Sequence, residues 1–180
     1  MIMKFTIFLA LLSLITASFI MFNKQPKYYP SRGEQLVNST LATSAKTIKE
    51  KYNIRPCGIG VAMPGGPIQK VALCFDTKYP LNKEQLRELL IKSAQELLNQ
   101  INENQEIQEH LKELPFTIKN IQIIIYNSNR DGGEVYDPGI STSEISQGIL
   151  TYQTVDSVDT FNYKSEFIET YEEALKTLNK

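Results

Sequence analysis

The chain has 180 residues, room for one domain of ordinary size and not for two. Its 19 basic and 20 acidic side chains leave a net charge of −1, so it lacks the basic field that sequence-independent nucleic-acid binding needs, and no nucleic-acid partner is expected. With one histidine, His110, and two cysteines, Cys57 and Cys74, a single chain cannot assemble closed zinc sites of four cysteines or of two cysteines and two histidines.

Residues 5–22 (FTIFLALLSLITASFIMF) carry no charge and follow a single lysine, Lys4, the pattern of an export signal or a transmembrane anchor at 1–22. As a helix the run reaches about 27 Å, slightly short of a hydrocarbon core of roughly 30 Å. Small residues Thr16, Ala17 and Ser18 also fit a cleaved signal peptide, but the apolar stretch continues to Phe22, which favours retention. Positive charge on both sides leaves the positive-inside rule ambiguous. Because most of the chain lies downstream, we read the soluble part as outside the cytoplasm: membrane-anchored, or secreted if the segment is removed. Residues 23–33 are polar, hold two prolines and read as a tether. A single domain then occupies 34–180.

Within it, Val37, Leu41, Ala45, Ile48 and Tyr52 recur at helical spacing. Two apolar runs, 57–63 and 68–75, flank Pro64-Gly65-Gly66-Pro67 and predict a hairpin closed by Met63 and Ile68. That register sets Cys57 opposite Cys74, close enough for a structural disulfide in an oxidising compartment. Residues 82–102 predict an amphipathic helix with Asn82 and Gln85 as its capping box. A short helix is expected at 106–114, a strand at 118–126, a turn at 127–133, a return strand at 134–136, a last strand at 148–155 and a helix at 166–178. The expected class is α+β: an antiparallel sheet of about four or five strands packed by amphipathic helices, preceded by one N-terminal hydrophobic helix.

Candidate chemistry is sparse. Asn127, Asn129, Asp131 and Gly132 match the first half of a calcium loop; position 12 of that pattern is Pro138, so Glu134 or Asp137 would have to supply the missing carboxylate, and the same residues suit a turn. Ser141 sits in a Gly-x-Ser-x-Ser run that misses the nucleophile-elbow pattern; with Glu144 and Gly148 it reads as a capped helical turn. His110 falls at the edge of an apolar stripe. Gly58 and Gly60 read as positions where a helix approaches the sheet. No cofactor motif is present and none is expected. The sequence thus favours a non-catalytic binding or structural module of the cell envelope, its partners being the membrane through the N-terminal segment and a protein. The alternatives are a thiol-dependent redox enzyme using Cys57 and Cys74, and a calcium-modulated binding domain. A pocket joining Arg130, Asp131, Glu134 and His110 would point to ligand binding.

Overall fold

In the computed structural model, which describes residues 28–178, the first apolar stripe winds into α1 (Arg32–Tyr52) and buries Val37, Leu41, Ala45 and Ile48. The chain divides into two units, Met1–Ser31 and Arg32–Lys180, and the fold below is that of the second. The anchor or signal read at 5–22 lies outside the described residues, and no described helix is long and apolar enough to cross a membrane.

The hairpin β1 (Arg55–Ala62) and β2 (Lys70–Asp76) forms as expected, but in a different register. Pairing starts at Arg55↔Asp76 and shifts at a bulge between Pro56 and Gly58, so Gly58 rather than Cys57 faces Cys74. The loop is also longer, because Ile68 leaves the hairpin. Its backbone N–H donates to the His110 carbonyl at 2.7 Å, its carbonyl accepts from Lys112 N at 2.8 Å, and its side chain is fully buried. Tertiary pairing with the segment at Leu111 outcompetes a tight hairpin turn.

Next comes α2 (Lys83–Glu103), capped as expected: Gln85 N donates to Asn82 Oδ1 and Asn82 N to Gln85 Oε1, both at 2.9 Å. Its stripe of Leu86, Leu89, Leu90, Ala94, Leu97 and Ile101 is buried. The helix predicted at 106–114 shrinks to one turn, α3 (Gln105–Gln108), since the following residues are used to pair with Ile68. A single 3-10 turn (Ile118–Asn120) opens β3 (Ile121–Tyr126). The α2 crossover returns the chain so that β3 lies parallel to β2, which corrects the expectation of an antiparallel sheet throughout.

The second half departs most from the sequence pattern. The expected return strand at 134–136 is a single bridge, Ser128↔Glu134. Residues 142–146, expected as a helical turn, form β4 (Thr142–Ser146), which joins β5 (Ile149–Val155) through Gln147 and Gly148 at φ 53° and 81°. Two central residues with positive φ match the handed twist of a two-residue hairpin. The terminal helix begins later than expected, because residues 163–170 form the edge strand β6 (Tyr163–Thr170) before α4 (Tyr171–Leu178). Thr170 and Glu173 make the capping box that marks the true helix start, with Thr170 N donating to Glu173 Oε2 at 2.8 Å and Glu173 N to Thr170 Oγ1 at 3.2 Å.

The result is α+β, with a mixed sheet of six strands in the order β1-β2-β3-β4-β5-β6 and not the four or five expected. Val71, Leu73, Phe75, Ile121, Ile123, Ile125, Ile145, Leu150 and Tyr152 form its core face with α1 and α2. Gly58 and Gly60 pair with Cys74 and Ala72 on the opposite, half-buried face, so they do not admit a helix as the sequence suggested.

Candidate functional site

Strands β2, β3 and β5 run in the same direction. Their following connections, 77–82, 127–141 and 156–162, therefore leave from one end of the sheet. In open sheets this carboxyl end of parallel strands is where ligands bind.

Asn127 organises that end. Its side chain is buried (2 % exposed) and saturated: Oδ1 accepts from Leu81 N at 2.9 Å and from Thr77 Oγ1 at 3.2 Å, while Nδ2 donates to the carbonyls of Leu81 at 2.9 Å and Ile140 at 2.7 Å. One amide thus ties the β2–α2 connection to the β3–β4 connection. Ser128 N donates to Thr77 Oγ1 at 2.8 Å and completes the clasp.

Behind the clasped β2–α2 connection lies a pocket of about 210 Å³. Ile54, Leu81 and Leu89 supply apolar wall, Tyr52 and Tyr79 supply aromatic wall, and Lys78, Glu88 and Lys92 supply charge. Cofactor and drug-sized sites usually occupy roughly 300–1,000 Å³, so this one suits a single side chain or a fragment of similar size. Glu88 and Lys92 form an i,i+4 pair at 2.5 Å, and Glu88 raises the Lys92 ammonium above its usual range. Lys78 donates to the neutral Asn53 Oδ1, so among the described residues its charge has no acid to offset it. Thr77 is engaged with Asn127 and Ser128. None of these groups forms a nucleophile and base within reach of each other.

A second polar cluster fixes the far edge of the sheet to α2. Arg87, 8 % exposed, donates from Nε to Glu169 Oε1 at 2.8 Å, and Tyr152 Oη donates to the same oxygen at 2.6 Å. Burial and the Glu169 carboxylate push the Tyr152 hydroxyl well above its usual range. Lys83 Nζ lies 5.1 Å from the Tyr152 ring centroid and 4.8 Å from that of Phe167. Each member has a partner, and the cluster reads as a strut for β6.

The residues singled out in the sequence do not converge. Asn127 is consumed by the clasp. Asn129 Nδ2 donates to the Glu134 carbonyl at 2.7 Å, and Asp131 Oδ1 accepts from Gly133 N at 2.9 Å, so these side chains close a turn. Among the described residues, no three acidic, cysteine or histidine side chains are placed to hold a metal ion. Ser141 Oγ donates to the Val135 carbonyl and accepts from Val155 N at 3.0 Å, which locks β4 against the end of β5. His110 lies at the opposite end of the sheet from Arg130, Asp131 and Glu134, beside Gly33 and the β1–β2 connection.

The expected Cys57–Cys74 disulfide is not formed: both cysteines are free thiols, because the bulge takes Cys57 out of register with Cys74. The bulge carries Cys57 toward Asp76; although the residue as a whole is exposed, partial desolvation of its thiol first, then the Asp76 carboxylate and Cys74, push its pKa up to about 11, with Arg55 opposing. Burial and Asp76 also raise Cys74. A thiol held protonated is a poor nucleophile, and the expected consequence is direct. At pH 8 iodoacetamide should alkylate Cys57 roughly a hundredfold more slowly than an unperturbed peptide thiol, with the rate rising until about pH 11 and Asp76→Asn accelerating it. Rapid alkylation at neutral pH would contradict this environment.

The pocket was within reach of the sequence only through the topology. Thr77 to Leu81 directly precede the Asn82 cap, so recognising 76–121 as a crossover between parallel strands would have marked that connection. Compared with protein families, with curated proteins and with solved structures, the chain has no match.

Proposed function

We propose that this chain is a non-catalytic binding module that grips one apolar side chain of a protein partner in its loop-end pocket, and that its N-terminal apolar run holds it at the membrane or exports it to the cell envelope. The observation that carries the reading is the pocket itself: about 210 Å³, walled by Ile54, Leu81, Leu89, Tyr52 and Tyr79, with Thr77 held by Asn127, Lys78 by Asn53 and Glu88 paired with Lys92. Surroundings that raise both thiols above the usual range, with no cation among the described residues placed to activate them other than Arg55, weigh against a thiol-dependent enzyme. The localisation rests on residues 5–22.

The test is a titration of the full chain in detergent micelles with N-acetyl-phenylalanine amide, followed by NMR. Amide shifts confined to residues 52–54 and 77–92 are expected, with millimolar affinity. N-acetyl-alanine amide should give none, and Leu81→Trp, which fills the pocket, should abolish them. Shifts scattered over the surface, or none, would overturn the reading, as would turnover of a substrate by the purified chain.

A further inference from the structure

The β5–β6 connection presents two apolar side chains almost fully to water: Val158 is 93 % and Phe161 97 % exposed. The segment is built to do so. Asp156 Oδ1 accepts from Val158 N at 2.9 Å, Asp159 Oδ1 from Phe161 N at 3.3 Å, and Asn162 Nδ2 donates to Asp159 Oδ2 at 2.9 Å. Lys164 Nζ bridges Asp137 at 2.8 Å and Asp156 at 3.3 Å and anchors the base. Two neighbouring apolar side chains held outward by these local hydrogen bonds offer a small apolar tip for a partner's pocket to cover.

The same molecule carries a matching receptor. A cavity of about 150 Å³ accepts benzene, so the pocket of about 210 Å³ has room for a phenyl ring. Charge agrees as well. Asp159 has no cation on it among the described residues, and the pocket rim carries Lys78, whose hydrogen-bond partner is neutral. Position is the third argument. Both features leave the carboxyl ends of co-directional strands, β5 for the tip and β2 for the pocket, three strand spacings or roughly 14 Å apart. A two-fold axis between them lets each copy offer its tip to the other's pocket, and such an arrangement closes on itself.

We propose that the partner is a second copy of this chain, with Phe161 of each protomer inserted in the loop-end pocket of the other. This rests on the pocket being a side-chain site, as read above. The dimer buries two phenylalanine rings, sets Asp159 of each copy near Lys78 of the other, and weakens as salt rises.

The experiment is sedimentation of the full chain in detergent micelles, at low and high salt, for the unaltered chain, Phe161→Asp, Lys78→Glu and an equimolar mixture of the two variants. Both substituted side chains are exposed, so thermal melts taken well below the dissociation constant, where every sample is monomeric, should be unchanged. The unaltered chain should dimerise with an affinity on the order of micromolar, and each variant should associate at least tenfold more weakly, since an apolar anchor or its charge partner is lost. The mixture should associate better than either variant alone, because a mixed pair retains one intact tip and one intact pocket. A monomeric unaltered chain at roughly 100 μM, or Phe161→Asp associating as tightly as the unaltered chain, would overturn the proposal. Binding of the phenylalanine amide in the same samples separates the two readings. If the probe binds and the chain stays monomeric, only self-pairing fails; if neither occurs, both fail.

Discussion

Asn127→Ala is expected to cost about 3–5 kcal/mol of stability, the largest loss available from a single side chain at the loop end. The substitution removes the partner of three backbone groups, the buried Ile140 O and the part-buried Leu81 N and Leu81 O, and one of the bonds of the Thr77 hydroxyl, and each unmade bond of this kind costs roughly 1–3 kcal/mol. For a domain of this size the melting temperature should fall on the order of 10 °C. The β2–α2 connection that walls the pocket loses its tie, so phenylalanine amide binding should disappear in the folded variant as well. Ser128→Ala is the control: the backbone of Ser128 serves the clasp, and its side chain should be worth less than about 0.5 kcal/mol. A differential scanning measurement showing equal effects for the two would show that Asn127 does not hold the loops together.

Arg87→Met is expected to cost about 3–5 kcal/mol, because it leaves the Glu169 carboxylate at the edge of the core with Tyr152 as its remaining partner there. The companion change Glu169→Leu in the same chain should recover part of that loss, since removing both members of a buried pair is far cheaper than removing one. The cluster also has a pH signature. The folded state keeps the Tyr152 proton above the pH at which the unfolded chain releases it, near 10. The folded form therefore binds one more proton in that range, and stability falls as pH rises past 10. Tyr152→Phe should flatten this alkaline limb, at the price of one hydrogen bond. A variant with the same alkaline slope as the unaltered chain would remove Tyr152 from the account.

Local signals in the sequence were sufficient where local physics decides. The stripes of α1 and α2, the Asn82–Gln85 box and the β1–β2 hairpin follow from periodicity, capping and Pro-Gly chemistry. What stayed hidden depended on distant partners. Residues 166–170 continue a helical stripe, yet Glu169 must reach the buried Arg87, and that tertiary demand fixes the segment as strand β6. Ser141 and Glu144 carry a capping pattern, but Ser141 is taken by Val135 and Val155, and Glu144 accepts from Gln122 Nε2 at 3.1 Å across the sheet. The bulge at Cys57 left no mark in composition, and it separates the two cysteines in register. The candidate site followed the same division. The side-chain oxygen of Asn127 suits calcium on sequence grounds alone, whereas its partners, Leu81 and Ile140, lie 46 and 13 residues away in sequence. Phe161 and Val158, in a run with no periodic pattern, gave no reason to expect an ordered apolar tip.

The central claim is that the loop-end pocket is a side-chain site. Intermolecular NOE measurement between phenylalanine amide and the methyl-labelled full chain bears on it most directly. Contacts from the phenyl protons to Ile54, Leu81 and Leu89 are expected. Contacts to other methyl groups, or no contacts at saturating probe, would contradict it.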